Sequence, residues 1–69
     1  MLPQKLQELR RQKGLTQKKL ARLSGVSQSN ISEIEVGKKY PKVPTLRKLA
    51  AALGVRVSDL LEESHRPHG

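Results

Sequence analysis

The sequence predicts an all-α fold, a compact single domain of five short helices, and three observations support it. Apolar residues recur at spacings of three and four, as in Leu46, Leu49 and Leu53, which is the period of a helix with one buried face. Four of the five glycines stand where such a segment ends, and glycine commonly closes helices. The 69 residues are enough for one small core, so a second domain is not expected.

The first three helices follow from local signals in the N-terminal half. Residues 2–13 form an apolar-striped segment that Gly14 is expected to stop. Thr16 can cap a second helix, because its hydroxyl can accept from the free amides of the first turn. Gly25 ends that helix and tolerates the positive φ of a sharp reversal, after which Ser27 caps a third helix. Two short helices around a tight turn are therefore expected.

Two further helices are expected in the C-terminal half. Residues 44–53 carry a clear inward stripe that Gly54 terminates. A fifth helix is expected from about 57 to 63, where its start is blurred by two plausible boundary residues. The domain is therefore assigned to residues 1–63, and residues 64–69 are expected to be a disordered tail.

The predicted core is aliphatic throughout. Leu23 lies at the edge of its helix's stripe, so it is expected to be partly exposed. The expected core residues are Leu6, Leu9, Leu15, Leu20, Ala21, Val26, Ile31, Ile34, Leu46, Leu49, Leu53, Val55 and one or both of Leu60 and Leu61.

Charge is the most informative feature of the composition. The formal net charge is +8 and the pI is near 10.5. Residues 1–57 hold thirteen Lys and Arg against three acids, whereas residues 58–69 hold one Arg against three acids. A basic body with a slightly acidic end suits a nucleic-acid binder, although solubility alone would also explain it. The single aromatic residue, Tyr40, argues against single-strand binding by base stacking.

The third helix has an outer face suited to contacting DNA bases. Ile31 and Ile34 mark its inner side. Glutamine can bond bidentately to adenine in the major groove, and a carboxylate can accept from the N4 amine of cytosine. A helix face that is merely solvated would favour Lys and Glu. The Gln and Ser residues on the outer face of the third helix argue against that alternative. The candidate base-contacting residues are Gln28, Ser29, Ser32 and Glu33, the last of which could instead pair with a nearby lysine.

Residues 16–41, TQKKLARLSGVSQSNISEIEVGKKYP, resemble the helix-turn-helix of the phage repressor and Cro (XRE-type) family. The pattern T-Q, L-A, G-V-S-x-x-x-I-S-x-I-E-x-G-K carries this resemblance, which extends over about residues 4–62. It implies a repressor-like five-helix fold whose recognition helix, about 28–36, enters the major groove. It also implies an ion pair between Arg10 and Glu35, the alternative being two independent surface charges.

The resemblance further implies a set of backbone contacts beside the groove. Gln17 matches a position that donates to a phosphate, although it could be simple helix filler. Two positions depart from the pattern: Val36 replaces a polar residue, and a lysine replaces a capping Ser or Asn before the fourth helix. Tyr40 could pack against the loop prolines or donate to a phosphate. The expected phosphate contacts are Gln17, Asn30, Lys38, Lys39 and Lys42.

Three functional classes are compatible with these features. The favoured one is a sequence-specific regulator of transcription that binds double-stranded DNA, with a repressor acting in the cytoplasm as the expected form. The alternative is an antitoxin-type or coactivator module that uses the same fold to bind a protein. An enzyme is not expected, since no nucleophile with a base and no phosphate-binding glycine loop is present. No cofactor or membrane segment is expected. No metal is expected either, because His65 and His68 flank Pro67 without a third ligand nearby.

A second copy of the chain is expected on DNA. One recognition helix contacts only about four or five base pairs, too few to select a genomic site, so a homodimer on a near-palindromic operator is predicted. The predicted dimer contacts are Val57, Leu60 and Leu61, of which Val57 and one leucine are expected to remain on the surface. The alternative is that these residues pack internally.

Overall fold

The computed structural model of the chain describes residues 2–61, and within that range five α-helices and no strands are present. This confirms the predicted all-α class. Helix bounds differ from the expected ones by one residue at the ends of α1, α3 and α4. The predicted end of α5 at residue 63, the predicted disorder of residues 64–69 and both histidines lie outside the described residues. The helices are α1 Leu2–Gln12, α2 Gln17–Ser24, α3 Gln28–Glu35, α4 Val43–Leu53 and α5 Val57–Leu61.

The ends of α2 and the start of α3 are formed by the capping residues that the sequence predicts. The Thr16 hydroxyl accepts from the amide of Lys19 at 3.0 Å, and the Ser27 hydroxyl accepts from the amide of Asn30 at 3.1 Å. Gly25 closes α2 with φ +78°, a conformation that other residues adopt only with strain. Val26 is buried in the turn, so the two helices are fixed against each other.

The second half uses different end signals. Lys42 occupies the N-cap of α4 and makes no side-chain capping hydrogen bond, as expected from the loss of Ser or Asn there. Pro44 lies in the first turn of α4, where its missing N–H costs no hydrogen bond. The start of α5 is settled by Asp59, whose carboxylate accepts from the amide of Arg56 at 2.9 Å.

The core lies where the helices meet: α1 packs on α3 and α5, α2 packs on α3 and α4, and α4 packs on α5. Leu15, Ala21 and Val55 are only partly buried against this core. Leu23 is 53% exposed, in line with its expected edge position. The buried apolar residues are Leu2, Leu6, Leu9, Leu20, Val26, Ile31, Ile34, Leu46, Leu49, Ala50, Leu53 and Leu60.

Two features of the described range complete the description. The longest helices, α1 and α4, have eleven residues each, and none of the described helices combines the length and apolar character needed to cross a membrane. Within residues 2–61, no three His, Cys, Asp or Glu side chains cluster in a way that could hold a metal ion.

Candidate nucleic-acid interface

The outer face of α3 has the polar composition that the sequence predicts. Ile31 and Ile34 are almost fully buried, so the opposite side of the helix faces solvent. Gln28 and Ser29 are exposed, whereas Ser32 and Glu33 are half-buried. All four side chains carry groups that can donate or accept hydrogen bonds. We call Gln28, Ser29, Ser32 and Glu33 the recognition face.

The C-terminal end of α3 is held in the core by a buried ion pair. The Glu35 side chain is 2% exposed and that of Arg10 is 11% exposed. The Arg10 guanidinium donates through Nε to Glu35 Oε2 at 2.6 Å and through Nη2 to Oε1 at 3.1 Å. Its remaining Nη1 donates to the carbonyl of Leu15 at 2.8 Å. The predicted Arg10–Glu35 pair is therefore present, and it ties α1 to α3.

Gln17 belongs to the same buried cluster. Its Nε2 donates to Glu35 Oε1 at 3.0 Å, and Gln7 Nε2 donates to the Glu35 backbone carbonyl at 3.4 Å. Sequence reasoning missed this internal bond, because residues eighteen positions apart meet only through the crossing of α2 and α3. An amide nitrogen carries two hydrogens, so the bond to Glu35 leaves one for an external acceptor. The contact of Gln17 with a phosphate therefore stays a prediction.

The segment after α3 folds back onto that helix. The amides of Lys38 and Lys39 donate to the Glu33 carbonyl at 2.8 and 3.3 Å, and Gly37 makes this reversal possible with φ +83°. Lys39 Nζ lies 2.6 Å from Asn30 Oδ1 and 3.4 Å from Glu33 Oε1. Glu33 thus has the lysine partner that the sequence left open as an alternative to cytosine.

A cleft of about 260 Å³ lies between α3 and this loop. Its lining includes Tyr40, which is 68% exposed, the buried Pro41, and Thr45 of α4. Lys38 and Lys42 are exposed and form no ion pair with any described residue. Positive charge therefore borders the recognition face on the loop side.

A second group of exposed cations lies on α2. Lys18, Lys19 and Arg22 surround a shallow depression beside Thr16. None of the three pairs with an acid among residues 2–61. They are an alternative set of residues for contacts with DNA phosphates.

Of the two leucines predicted as dimer contacts, the structure buries Leu60 and exposes Leu61. The Leu60 side chain is fully buried between α5 and the rest of the core, so it cannot reach a second copy. Leu61 is 42% exposed, and Val57 is half-buried against the core. Neighbouring residues on a helix point about 100° apart, and this separates Leu60 from Leu61.

The fold and the recognition face are those of a helix-turn-helix protein. A helix-turn-helix family model matches residues 6–60 of the chain. The chain belongs to this family, and its expected resemblance to XRE-type helix-turn-helix regulators is confirmed.

Among known proteins, the chain is similar to the HTH-type transcriptional regulator PuuR of Escherichia coli K12. The two are 41% identical over 63 residues, which make up 91% of this chain and 34% of PuuR, so the chain spans about a third of that relative. It is also similar to the restriction-modification controller protein C.AhdI from Aeromonas hydrophila, with TM-score 0.83 and 39% identity over 86% of this chain and 89% of that one.

A third relative has been solved with DNA. The master regulator for biofilm formation SinR of Bacillus subtilis, in complex with DNA, matches with TM-score 0.86 and 35% identity. The match covers 90% of this chain and 100% of the SinR chain in that structure. These relatives are regulators and controllers, a non-enzymatic class.

Proposed function

We propose that this chain is a transcriptional regulator that binds a specific double-stranded DNA sequence and acts as a repressor. The observation that carries the proposal is the recognition face: amide, hydroxyl and carboxylate groups stand on the exposed side of α3, while its other side is fixed in the core. A helix of this width fits the major groove, where each base pair presents a distinct set of donors and acceptors.

Each group on the recognition face has a chemical partner on DNA. Gln28 is assigned to an adenine, because its amide can donate to N7 and accept from N6 in a bidentate pair. Glu33 is assigned to the N4 amine of a cytosine, which its carboxylate can accept from. Ser29 and Ser32 can bond to several bases and allow the helix backbone to approach closely.

Backbone contacts would fix the register of α3 in the groove. Lys38 and Lys42 have no internal partner among the described residues, so their ammonium groups are available to phosphates. Gln17 and Asn30 each keep an amide hydrogen for the same purpose. A repressor of this kind acts where the genome lies, so a cytoplasmic location is proposed with it.

Two copies are proposed to bind a near-palindromic operator, about one DNA turn apart. Val57 and Leu61 supply an apolar patch on α5, where positive charge is low. Such a patch is small, so pairing is expected to be completed on DNA.

Val57→Glu tests this dimer surface. It should abolish cooperative binding to two half-sites, with sedimentation as the measure of pairing, and should leave the fold intact, as circular dichroism would show. Unaltered cooperativity would contradict this dimer surface.

Selection of bound duplexes from a random library with the whole chain tests the proposal directly. A preferred sequence is expected, and Gln28→Ala should weaken binding to it by about 1–3 kcal/mol while relaxing preference at one base pair. Gln4→Ala, an exposed glutamine on α1, is the matched control and should leave the preference intact. Equal losses on all sequences would make Gln28 a backbone contact, and selection of no sequence would refute specific binding. Repression itself is checked with a reporter gene carrying the selected site in its promoter.

A further inference from the structure

Lys39 connects the loop after α3 to two polar side chains on that helix. Its Nζ lies 2.6 Å from Asn30 Oδ1 and 3.4 Å from Glu33 Oε1. The backbone keeps it there, because the amides of Lys38 and Lys39 both donate to the carbonyl of Glu33. The position of Lys39 beside the recognition face is thus set by the main chain as well as by its side chain.

We propose that Lys39 determines sequence specificity by positioning Glu33 and Asn30, rather than by holding a phosphate. The proposal rests on the proposed DNA-binding function. A lysine ammonium carries donors and no acceptor, so the atom of Asn30 that faces it is the oxygen. The amide nitrogen of Asn30 is then turned away from Lys39 and is available as a donor to an acceptor on DNA.

Glu33 depends on the same ammonium for a different reason. A lone carboxylate on a surface that meets phosphates would be repelled by them. Lys39 neutralises this charge from one side through Glu33 Oε1, which leaves Oε2 to accept from a base amine. The side chains of Lys39 and Glu33 are 48% and 46% exposed. Exposed pairs of this kind contribute little to folding, so the effect of this one is expected in binding.

The test compares Lys39→Met with Lys38→Met in the whole chain, using duplex selection and titration. Both variants lose one cation, and Lys38 is an exposed neighbour with no ion-pair partner among residues 2–61. Lys38→Met should weaken binding to all duplexes alike and flatten the dependence of log affinity on log salt, with the preferred sequence retained. Lys39→Met should instead lower discrimination at the base pair contacted by Glu33 by about 5- to 150-fold.

Three further variants show whether Lys39 acts through Glu33. Glu33→Gln should change the preferred base by itself, and adding Lys39→Met to it should bring no further change in preference at the base pair that Glu33 contacts. Lys39→Arg keeps both charge and donors, so it should retain the wild-type preference. If Lys39→Met only reproduces Lys38→Met, or if Glu33→Gln leaves the preference unchanged, the proposal is overturned.

The same experiment separates this proposal from the proposed function. A wild-type chain that selects no duplex sequence refutes specific DNA binding before any variant is compared. A wild-type preference that survives Lys39→Met intact refutes the role of Lys39 alone.

Discussion

Glu33 and Glu35 stand two positions apart on α3 and have opposite surroundings. The Glu35 side chain is 2% exposed and accepts three hydrogen bonds from Arg10 and Gln17. The Glu33 side chain is 46% exposed and faces Lys39 at 3.4 Å. Successive residues of an α-helix are about 100° apart, so two positions place these carboxylates on nearly opposite sides.

The same chemical group therefore has two roles, and its surroundings decide which. A buried charge must be paired and hydrogen-bonded, so Glu35 fixes α3 against α1 and α2. Loss of one of its partners therefore destabilises the fold strongly. An exposed pair gains about 0–1 kcal/mol, so Glu33 and Lys39 leave the fold largely unaffected and remain open to an external partner. The buried cluster orients the helix, and the exposed one is free to contact DNA.

The largest effect is expected on the buried side. Arg10→Met leaves the Glu35 carboxylate buried with Gln17 as its remaining side-chain donor, and breaking such a pair costs about 3–5 kcal/mol. A domain of 69 residues has a free energy of unfolding of only about 3–10 kcal/mol. The variant should thus lose about a third or more of its free energy of unfolding, as urea denaturation followed by circular dichroism would show.

Two controls define the cause of that loss. Arg11→Met removes the exposed neighbouring charge and should change stability little. Arg10→Met combined with Glu35→Met removes both charges and should recover much of the lost stability, since an apolar pair can replace a buried ion pair. A double variant no more stable than Arg10→Met would attribute the loss to the bond between Arg10 and the Leu15 carbonyl.

The helices and turns could be predicted because their signals are local. Thr16, Gly25 and Ser27 act within three or four residues of their own positions, so the capped turn follows from the chain alone. The Arg10–Glu35 pair was predicted through resemblance, because nothing near Arg10 in the sequence indicates a partner twenty-five positions away.

The remainder depends on how helices and loops cross. Gln17 meets Glu35 only because α2 lies across α3, and Lys39 meets Asn30 only because the loop reverses after Gly37. The sequence cannot say which of Leu60 and Leu61 lies on the surface, since either could face inward until the orientation of α5 on α1 and α4 is known. Long side chains find partners that spacing alone does not reveal.

An intermediate effect is expected at Gln17, which joins the buried cluster from a half-buried position. Gln17→Ala removes one donor to the Glu35 carboxylate, and a hydrogen bond to a charged group contributes about 1.5–3 kcal/mol. The free energy of unfolding should fall by about that amount or somewhat less, as urea denaturation would show, whereas the exposed Gln12→Ala should change it little. If Gln17 also donates to a phosphate, its loss should weaken binding to all duplexes alike. Unchanged stability would show that Arg10 alone satisfies Glu35.

The smallest effect is expected for the stability of Lys39→Met. Its pair with Glu33 is about half exposed, so the free energy of unfolding should change by less than about 1 kcal/mol. Lowering a net charge of +8 also reduces repulsion within the folded chain, and Lys38→Met corrects for this because it removes the same charge without breaking an ion pair. The difference between the two variants, measured by urea denaturation, therefore isolates the pair. It should shrink further in 1 M salt, where the Debye length falls to about 3 Å, whereas the loss in Arg10→Met should persist because buried charges are poorly screened. A difference above about 2 kcal/mol that survives high salt would mean that the loop after α3 is held by Lys39, and the contrast between the two glutamates would then be one of degree.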